Sequence, residues 1–257
     1  MTSYRDETIA GVQRLEMHDF GQNPTVAVES ALFDVARFGV SQLCNIGPVL
    51  SERDNEKMFR WAKSNPDIYG NIESQAEMMA SKAYLLDGTL SDLQANLAHC
   101  TVAGVERNAT FIRYREPAFE IKWHTDISFP AGKSGVRALF PMGQSDGSSL
   151  VVSRLQFDGD HKRLQKDLSQ VPLSAHLRIM YKNRTAILMA EGIGGMKVMA
   201  DDGKLYGVES PPHSGLHDLA NPCSRVVSIA DFVLRITKAN NNAFVVPISP
   251  EDLRLAS

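Results

Sequence analysis

One short stretch of the chain combines residue types that can hold a metal. His124 and Asp126 stand two positions apart, separated by Thr125. In a β-strand, residues i and i+2 project from the same face, so the imidazole and the carboxylate can reach one ion together. Two histidines and one carboxylate on a single face of the metal form the donor set of non-haem Fe(II) sites. The pair therefore predicts two of the three ligands of such a site.

A second histidine has to complete the set, and the downstream sequence offers two. His213 and His217 both precede a turn at Asn221–Pro222 and an apolar segment that opens with Arg225. His217 stands in an apolar run that is typical of a buried strand, whereas His213 follows two prolines and is typical of a loop. The sequence favours His217 as the third ligand and leaves His213 as the alternative.

Arg225 indicates what else the site binds. A cosubstrate such as 2-oxoglutarate would chelate the open positions of the metal, and its distal carboxylate would then need a cation. The guanidinium fork suits that geometry better than an ammonium group. Across the turn at Asn221–Pro222, either histidine could end one strand while Arg225 begins the next. We therefore expect Arg225 to bind the distal carboxylate.

Taken together, these motifs resemble a known superfamily. The His124-Thr-Asp126 motif, a distal histidine and the Arg225-Val-Val-Ser-Ile-Ala-Asp-Phe segment are similar to the Fe(II)/2-oxoglutarate-dependent oxygenases of the double-stranded β-helix fold. The resemblance lies mainly in residues 108–236. It implies Fe(II) and 2-oxoglutarate as cofactors, O2 and a small organic metabolite as substrates, and succinate and CO2 as products. The implied reaction is hydroxylation, desaturation or cyclisation.

Two more cosubstrate candidates come from the resemblance alone. Arg113-Tyr114 is similar to an Arg-Tyr pair that many members carry upstream of the His-x-Asp motif, which makes Tyr114 a candidate. Ser149 follows a Gly-containing turn and fills the place of a Thr or Ser in the taurine-dioxygenase-like branch. That alignment would make His213 the ligand. Ser228, three residues after Arg225, departs from the Arg-x-Ser spacing of the isopenicillin-synthase-like branch, and strand alternation would turn it away.

Helical and strand patterns divide the chain near residue 100. We expect one domain over residues 1–257, in which a mainly helical buttress (1–100) supports a β-helix core (101–240). The predicted fold class is α+β, mainly β, with a jelly-roll core. The helices are predicted from apolar periodicity and caps at 29–38 with Gly39 as C-cap, 51–64 with Ser51 as N-cap, 73–82, and from Ser91 onward. The strands are predicted at 40–45, 109–114, 119–129, 136–140, 150–155, 173–181, 186–189, 196–199, 204–208 and 225–236.

Composition excludes several function classes. The formal net charge is -3 and the sequence pI is about 6.2, whereas nucleic-acid binding needs clustered positive charge. No segment predicts a membrane span or a signal peptide. The 3 cysteines lack metal or disulfide spacing, and reduced thiols fit a cytoplasmic protein.

Other functions remain open at this level. A cupin-type metal enzyme that does not use 2-oxoglutarate would make Arg225 a structural or substrate residue, and a non-catalytic β-barrel would leave His124 and Asp126 as hydrogen-bonding residues. The glycine run at 192–195 is better interpreted as a turn than as a phosphate loop, because no helix follows it. Four cations could meet an anionic substrate, although a solvated surface position is the simpler interpretation of each: Lys122, Arg137, Arg178 and Arg184.

Overall fold

The structure is a computed structural model in which β-strands predominate. The described residues are 15–47, 51–64, 86–115, 121–126, 134–142, 148–153, 176–192, 196–217, 225–235 and 243–253. In chain order the strands are β1 (Met17–Asp19), β2 (Val40–Cys44), β3 (Val105–Arg115), β4 (Ile121–His124), β5 (Ser134–Met142), β6 (Ser148–Val152), β7 (Leu177–Met180), β8 (Thr185–Gly192), β9 (Met196–Met199), β10 (Leu205–Val208), β11 (His213–His217), β12 (Arg225–Leu234) and β13 (Phe244–Val245). The helices are α1 (Pro24–Phe38), α2 (Glu52–Ser64) and α3 (Asp87–His99).

The main strands form two sheets. A 6-stranded sheet has the order β1-β2-β8-β5-β12-β3, and a 4-stranded sheet has the order β4-β11-β6-β7. A small 3-stranded sheet, β10-β9-β13, lies beside them. Between β3 and β12 the chain crosses repeatedly between the two main sheets, with β6 and β7 consecutive in the 4-stranded sheet and β9 and β10 in the small sheet. The pairings among the core strands are antiparallel.

This strand order defines the fold. The strands β3, β12, β5 and β8 are neighbours in the 6-stranded sheet, while β4, β11, β6 and β7 make up the 4-stranded sheet. A chain that crosses back and forth between two antiparallel sheets in this order forms a jelly roll, or double-stranded β-helix. The predicted fold class is confirmed.

A hydrophobic core fills the space between the two sheets. We call it the inter-sheet core, and it includes side chains from both layers. Its members are Val40, Leu139, Leu150, Val152, Ile179, Tyr181, Ile187, Met189, Val227 and Ile229. Because side chains alternate along a strand, the odd-numbered residues of β5, β8 and β12 face this core.

The other face of the 6-stranded sheet packs against helices. Even-numbered residues of β12, among them Val226, Ala230 and Phe232, share a second cluster with Leu32 and Val35 of α1. We call this cluster the helix-side core. It also takes in residues of α3, including Leu90, Leu93 and Leu97. The buttress predicted for the amino-terminal region is therefore present on one face of the sheet.

Local signals account for the limits of α1. The side chain of Asn23 accepts a hydrogen bond from the Val26 amide at 3.3 Å, and Pro24 occupies the first helical turn. Both features favour a helix start, so α1 begins earlier than the predicted residue 29. Gly39 ends the helix with φ 78°, and its amide donates to the Val35 carbonyl at 2.8 Å. The predicted glycine C-cap is confirmed.

The other predicted helices vary in outcome. Ser51 accepts a hydrogen bond from the Asp54 amide at 3.1 Å, which confirms it as the cap of α2. The helix predicted from Ser91 begins earlier, at Asp87, and so includes Leu90 among its buried residues. The predicted helix at 73–82 lies outside the described residues.

The amino-terminal region also contributes strands. The strand predicted at 40–45 is β2, which pairs antiparallel with β8, and β1 pairs parallel with β2. Both extend the 6-stranded sheet beyond the jelly-roll core. The three residues of β1 are too few to show a pattern in the sequence. The single-domain organisation of residues 1–257 stays a prediction.

Strands β5 and β12 lie close together at Gly135. A Cβ atom at this position would overlap the carbonyl oxygen of Phe232. The pairing of β12 with β3 also shifts register between Asp231 and Phe232, which marks a β-bulge. Glycine is therefore required at position 135 for close pairing beside Asp231.

Within the described stretches, no helix has the length and apolar character that crossing a membrane requires.

Candidate metal centre

Three side chains converge at the edge of the inter-sheet core. One nitrogen each from His124 and His213 and a carboxylate oxygen of Asp126 all lie within 4.8 Å of one another. The nearest atoms of the histidines approach the carboxylate from two sides. Nε2 of His124 lies 3.7 Å from Oδ1 of Asp126, and Nε2 of His213 lies 3.4 Å from Oδ2.

Strand pairing brings the two histidines together. His124 is the last residue of β4, His213 is the first residue of β11, and the two are direct partners in the antiparallel ladder. Direct partners share one face of a sheet. On its other side His213 pairs with Val152, which belongs to the inter-sheet core. Both imidazoles therefore project into the space between the sheets, with ring centroids 4.3 Å apart.

Asp126 lies two residues beyond the end of β4. Its amide donates a hydrogen bond to the Ser210 hydroxyl at 3.2 Å, which ties this turn to the segment that precedes β11. The pairing of β4 with β11 is also irregular between His213 and Gly215. Bulges of this kind often redirect side chains beside functional sites. The hydrogen bond holds the backbone of Asp126 beside the segment before β11, close to both imidazoles.

The hydrogen bonding of His213 leaves the correct nitrogen for a metal. Its Nδ1 lies 3.0 Å from the Pro211 carbonyl oxygen. Because a carbonyl only accepts, Nδ1 is engaged as a donor, and Nε2, which faces Asp126, is the nitrogen that a metal would bind. His213 is 3% exposed, whereas the side chain of His124 is 33% exposed. The site is thus closed behind His213 and open on the side of His124.

The structure favours His213 over His217 as the third ligand. The two prolines before His213 do not place it in a loop, because β11 begins directly after them. His217 ends the same strand and pairs with Ser148, four residues away from the pairing of His213 with His124. The side chain of His217 lies outside the described residues. The proposed ligand set is therefore His124, Asp126 and His213.

An arginine that the sequence left among possible surface charges contacts this site. Arg137 on β5 is 2% exposed, and its Nη1 lies 2.7 Å from Oδ2 of Asp126. The same guanidinium also contacts Glu191 on β8 and Asp231 on β12. The simpler interpretation of Arg137 as a solvated charge is wrong. The available signal was a charged residue inside an otherwise apolar strand, Val136 to Phe140.

These contacts fix the charge states of Asp126 and Arg137. Burial alone would raise the pKa of Asp126, but its interactions with His213 and Arg137 outweigh burial and hold that pKa well below its ordinary value. Burial alone would lower the pKa of Arg137, but Asp126, Asp231 and Glu191 raise it above its ordinary value. The carboxylate is therefore ionised and the guanidinium is charged.

The donor set fits a divalent cation. Two imidazoles and one carboxylate on one face of a metal form the donor set of non-haem Fe(II) sites. His124, Asp126 and His213 provide this set, with their donor atoms within 4.8 Å of one another. The Arg137 guanidinium lies against Asp126, Glu191 and Asp231, so the candidate ligand Asp126 is held beside a buried cation.

Ser149 lies on the wrong face of its strand to bind a cosubstrate between the sheets. Its neighbours in β6, Leu150 and Val152, belong to the inter-sheet core, so alternation turns Ser149 outward. Its hydroxyl accepts a hydrogen bond from Nε of Arg178 at 3.0 Å. The contact is structural, and Ser149 is not part of the proposed site.

The remaining predicted residues are placed by backbone register only. Arg225 begins β12 opposite Arg115, and Tyr114 pairs with Val226. The side chains of Arg225, Arg115 and Tyr114 lie outside the described residues, so both cosubstrate roles stay predictions. Val226 belongs to the helix-side core, and this register does not favour Tyr114. Ser228 is fully buried, and its sequence neighbours Val227 and Ile229 belong to the inter-sheet core. Ser228 therefore faces the helices, as alternation predicted.

Comparisons with known proteins return solved structures only. No protein-family model and no curated protein sequence match the chain. A Pseudomonas putida prolyl-4-hydroxylase has 13% identity and a TM-score of 0.44, covering 80% of this chain and 91% of the other. HygX from Streptomyces hygroscopicus, solved with nickel, 2-oxoglutarate and hygromycin B, has 12% identity and a TM-score of 0.49, covering 87% and 98%.

A third similar structure is SnoK from nogalamycin biosynthesis, a non-haem α-ketoglutarate-dependent carbocyclase. It has 11% identity and a TM-score of 0.47, covering 98% of this chain and 99% of its own. The similar structures thus include members of the superfamily that the sequence motifs resemble.

Proposed function

We propose that this protein is a non-haem Fe(II)- and 2-oxoglutarate-dependent oxygenase that oxidises a small organic metabolite. The observation that carries the proposal is the convergence of His124, Asp126 and His213 within 4.8 Å at one end of a double-stranded β-helix. Two imidazoles and one carboxylate leave further metal positions for a cosubstrate and O2. When bound, the metal with 2-oxoglutarate and O2 supplies the oxidising power.

The protein's own residues prepare this chemistry. The Pro211 carbonyl engages Nδ1 of His213 and leaves Nε2 for a metal, and Arg137 holds the carboxylate of Asp126. The inter-sheet core lines the inner side of the site with apolar side chains, including Val152 and Met189. Such a lining excludes water and strengthens electrostatic contacts to a bound anion. The more exposed His124 marks the side from which substrate enters.

Arg225 is the proposed partner of the cosubstrate's distal carboxylate. Its position continues the alternating series of Val227, Ile229 and Asp231 on β12. Arg115 stands directly opposite it on β3, and like charges at directly paired positions repel each other. An anion bound near this pair would relieve that repulsion. The register thus supports an anionic ligand at the start of β12.

We also propose that the reaction is a hydroxylation, a desaturation or a cyclisation of a small metabolite, and that the protein is cytoplasmic. All three reactions fit the proposed site. A reducing cytoplasm suits Fe(II) and the thiols of the protein. Burial raises the pKa of the Cys100 thiol to about 11 and also raises that of Cys44, so both stay protonated.

One experiment tests the proposal. We would add Fe(II) and then 2-oxoglutarate to the protein without oxygen, follow the weak metal-to-ligand charge-transfer absorption, and measure succinate after O2 is admitted. We expect one Fe(II) per chain, a saturable band and slow succinate formation without substrate. Iron binding without 2-oxoglutarate binding would favour a cupin-type enzyme. Absence of iron binding would leave a non-catalytic barrel.

A further inference from the structure

Arg137 connects the candidate metal ligands to the opposite sheet. Its Nη1 contacts Oδ2 of Asp126 at 2.7 Å, and its Nη2 contacts Oε1 of Glu191 at 2.6 Å. Its Nε donates to Oδ1 of Asp231 at 2.8 Å, while Nη2 lies 3.1 Å from Oδ2 of the same residue. Both oxygens of Asp231 therefore accept a hydrogen bond from the guanidinium, and this two-bond contact fixes the plane of the guanidinium.

The register of the 6-stranded sheet explains this arrangement. Arg137 on β5 pairs directly with Asp231 on β12 and with Met189 on β8. Glu191 follows Met189 by two residues and so lies on the same face. Arg137, Asp231 and Glu191 therefore form one layer on the inner face of this sheet. Asp126 reaches the same guanidinium from the segment that follows β4, in the facing sheet.

Stability alone does not explain such a layer. Arg137, Glu191 and Asp231 are each at most 3% exposed, and buried ion pairs are often no more stabilising than apolar residues of similar size. The adjacent layer of the same face is apolar and contains Leu139, Ile187 and Ile229. The charged layer contacts and can orient the Asp126 carboxylate, whereas apolar side chains could not.

We propose that Arg137 is a positioning residue that restricts Asp126 to a single metal-facing oxygen, with Asp231 and Glu191 holding the guanidinium in place. The proposal rests on the metal site of the proposed function. Arg137 holds Oδ2 at 2.7 Å, with Oδ2 also 3.4 Å from Nε2 of His213 and Oδ1 3.7 Å from Nε2 of His124. Because the guanidinium already occupies Oδ2 and restricts rotation of the carboxylate, metal binding through Oδ1 alone is favoured. A carboxylate that binds through one oxygen leaves one more metal position open than a chelating carboxylate. A chelating cosubstrate and O2 need that position.

Removal of the guanidinium should change the metal site rather than only the stability of the fold. Without it, Asp126 loses the contact that holds Oδ2, and Asp231 and Glu191 lose the guanidinium between them. Loss of a group that orients a metal ligand lowers metal affinity by about 10- to 100-fold. Arg137→Lys keeps the charge but loses the two-bond contact with Asp231, and should therefore fall between Arg137→Gln and the parent.

The test is an anaerobic titration with Co(II), whose visible absorption reports the number and arrangement of its ligands. The parent, Arg137→Gln, Arg137→Lys and Asp231→Asn would be compared with Arg178→Gln as the control. Arg178 donates a hydrogen bond to the Ser149 hydroxyl on the outer face of the 4-stranded sheet, so Arg178→Gln removes an arginine contact away from the metal. Circular dichroism and thermal unfolding would establish the folded fraction of each variant.

We expect Arg137→Gln to bind Co(II) about 10- to 100-fold more weakly with an altered absorption band, Arg137→Lys and Asp231→Asn to be intermediate, and Arg178→Gln to match the parent. If Arg137→Gln is folded and binds Co(II) with the parent's affinity and spectrum, the positioning role is wrong while the metal site stands. If Arg137→Gln does not fold, Asp231→Asn decides in its place by the same criteria. If the parent binds no Co(II), the metal site and the positioning role both fail.

Discussion

The two faces of the 6-stranded sheet differ in chemistry although the same strands build both. Toward the helices, β5, β8 and β12 present almost only apolar side chains, with Ser228 as a buried exception. Toward the 4-stranded sheet, the same strands present an apolar region and, beside it, a charged layer made by Arg137, Glu191 and Asp231. The charged layer lies only where the candidate metal ligands approach.

This difference separates two tasks of one sheet. Burial of the helix-side residues removes apolar surface from water and stabilises the fold. The charged layer contributes less to stability, because each ion loses its hydration on burial. Its charges instead match the ligands that β4 and β11 supply from the other sheet. We therefore expect substitutions on the two faces to affect different measurements.

The largest expected effect is loss of the metal on removal of a ligand. His213→Ala should weaken Fe(II) binding by more than about 100-fold, because it removes a direct donor, whereas removal of an orienting group alone costs about 10- to 100-fold. Anaerobic titration of the folded protein measures this change.

His217→Ala is the matched control, since it alters the same strand four residues away. It should bind Fe(II) within a few-fold of the parent. Loss of binding in His217→Ala with retention in His213→Ala would return the third ligand to His217.

The choice between these histidines shows where sequence reasoning succeeds and where it ends. The His124-x-Asp126 pair is close in sequence and the strand positions follow from apolar patterns, so both were predictable, although Asp126 lies beyond the end of β4 and not within a strand as predicted. The third ligand depends on which residue of β11 pairs with His124, and register across strands that are distant in sequence has no local signal. The partners of Arg137 were hidden for the same reason, because they lie on β8, β12 and the segment after β4.

The next largest effect concerns the cosubstrate. Arg225→Ala should weaken 2-oxoglutarate binding by about 2–5 kcal/mol, because it leaves a carboxylate without its paired cation. Fe(II) binding should stay unchanged, since Arg225 is not a ligand. The charge-transfer titration measures the first quantity and metal titration the second. An unchanged 2-oxoglutarate titration in Arg225→Ala would place the distal carboxylate elsewhere.

A substitution on the helix side should affect stability alone. Leu188 is fully buried in the helix-side core and stands next to Met189 of the inter-sheet core. Leu188→Ala should lower the free energy of unfolding by about 2–5 kcal/mol through lost packing and a cavity. The folded fraction should bind metal with the parent's affinity. Denaturant unfolding and metal titration of the same sample check both expectations. A large change in metal affinity would contradict the view that the helix side of the sheet affects stability alone.

The smallest expected effect comes from a buried histidine outside the metal cluster. His176 is 2% exposed, and its ring lies 4.7 Å from that of Trp123, the neighbour of His124. Among the described residues its Nε2 has no hydrogen-bond partner, and burial lowers its pKa below the ordinary value of 6.5. The folded state therefore favours the neutral ring.

This shift has a defined sign. As the pH falls below 6.5, the unfolded chain takes up a proton at this position before the folded chain does, so the folded state loses stability until the pH passes the lower folded pKa. His176→Phe keeps a ring against Trp123 and cannot be protonated. The difference in unfolding free energy between parent and variant should therefore change by at most about 1.4 kcal/mol per pH unit below 6.5 and stay constant above it. A difference that is independent of pH would show that His176 is protonated equally in both states, which its burial argues against.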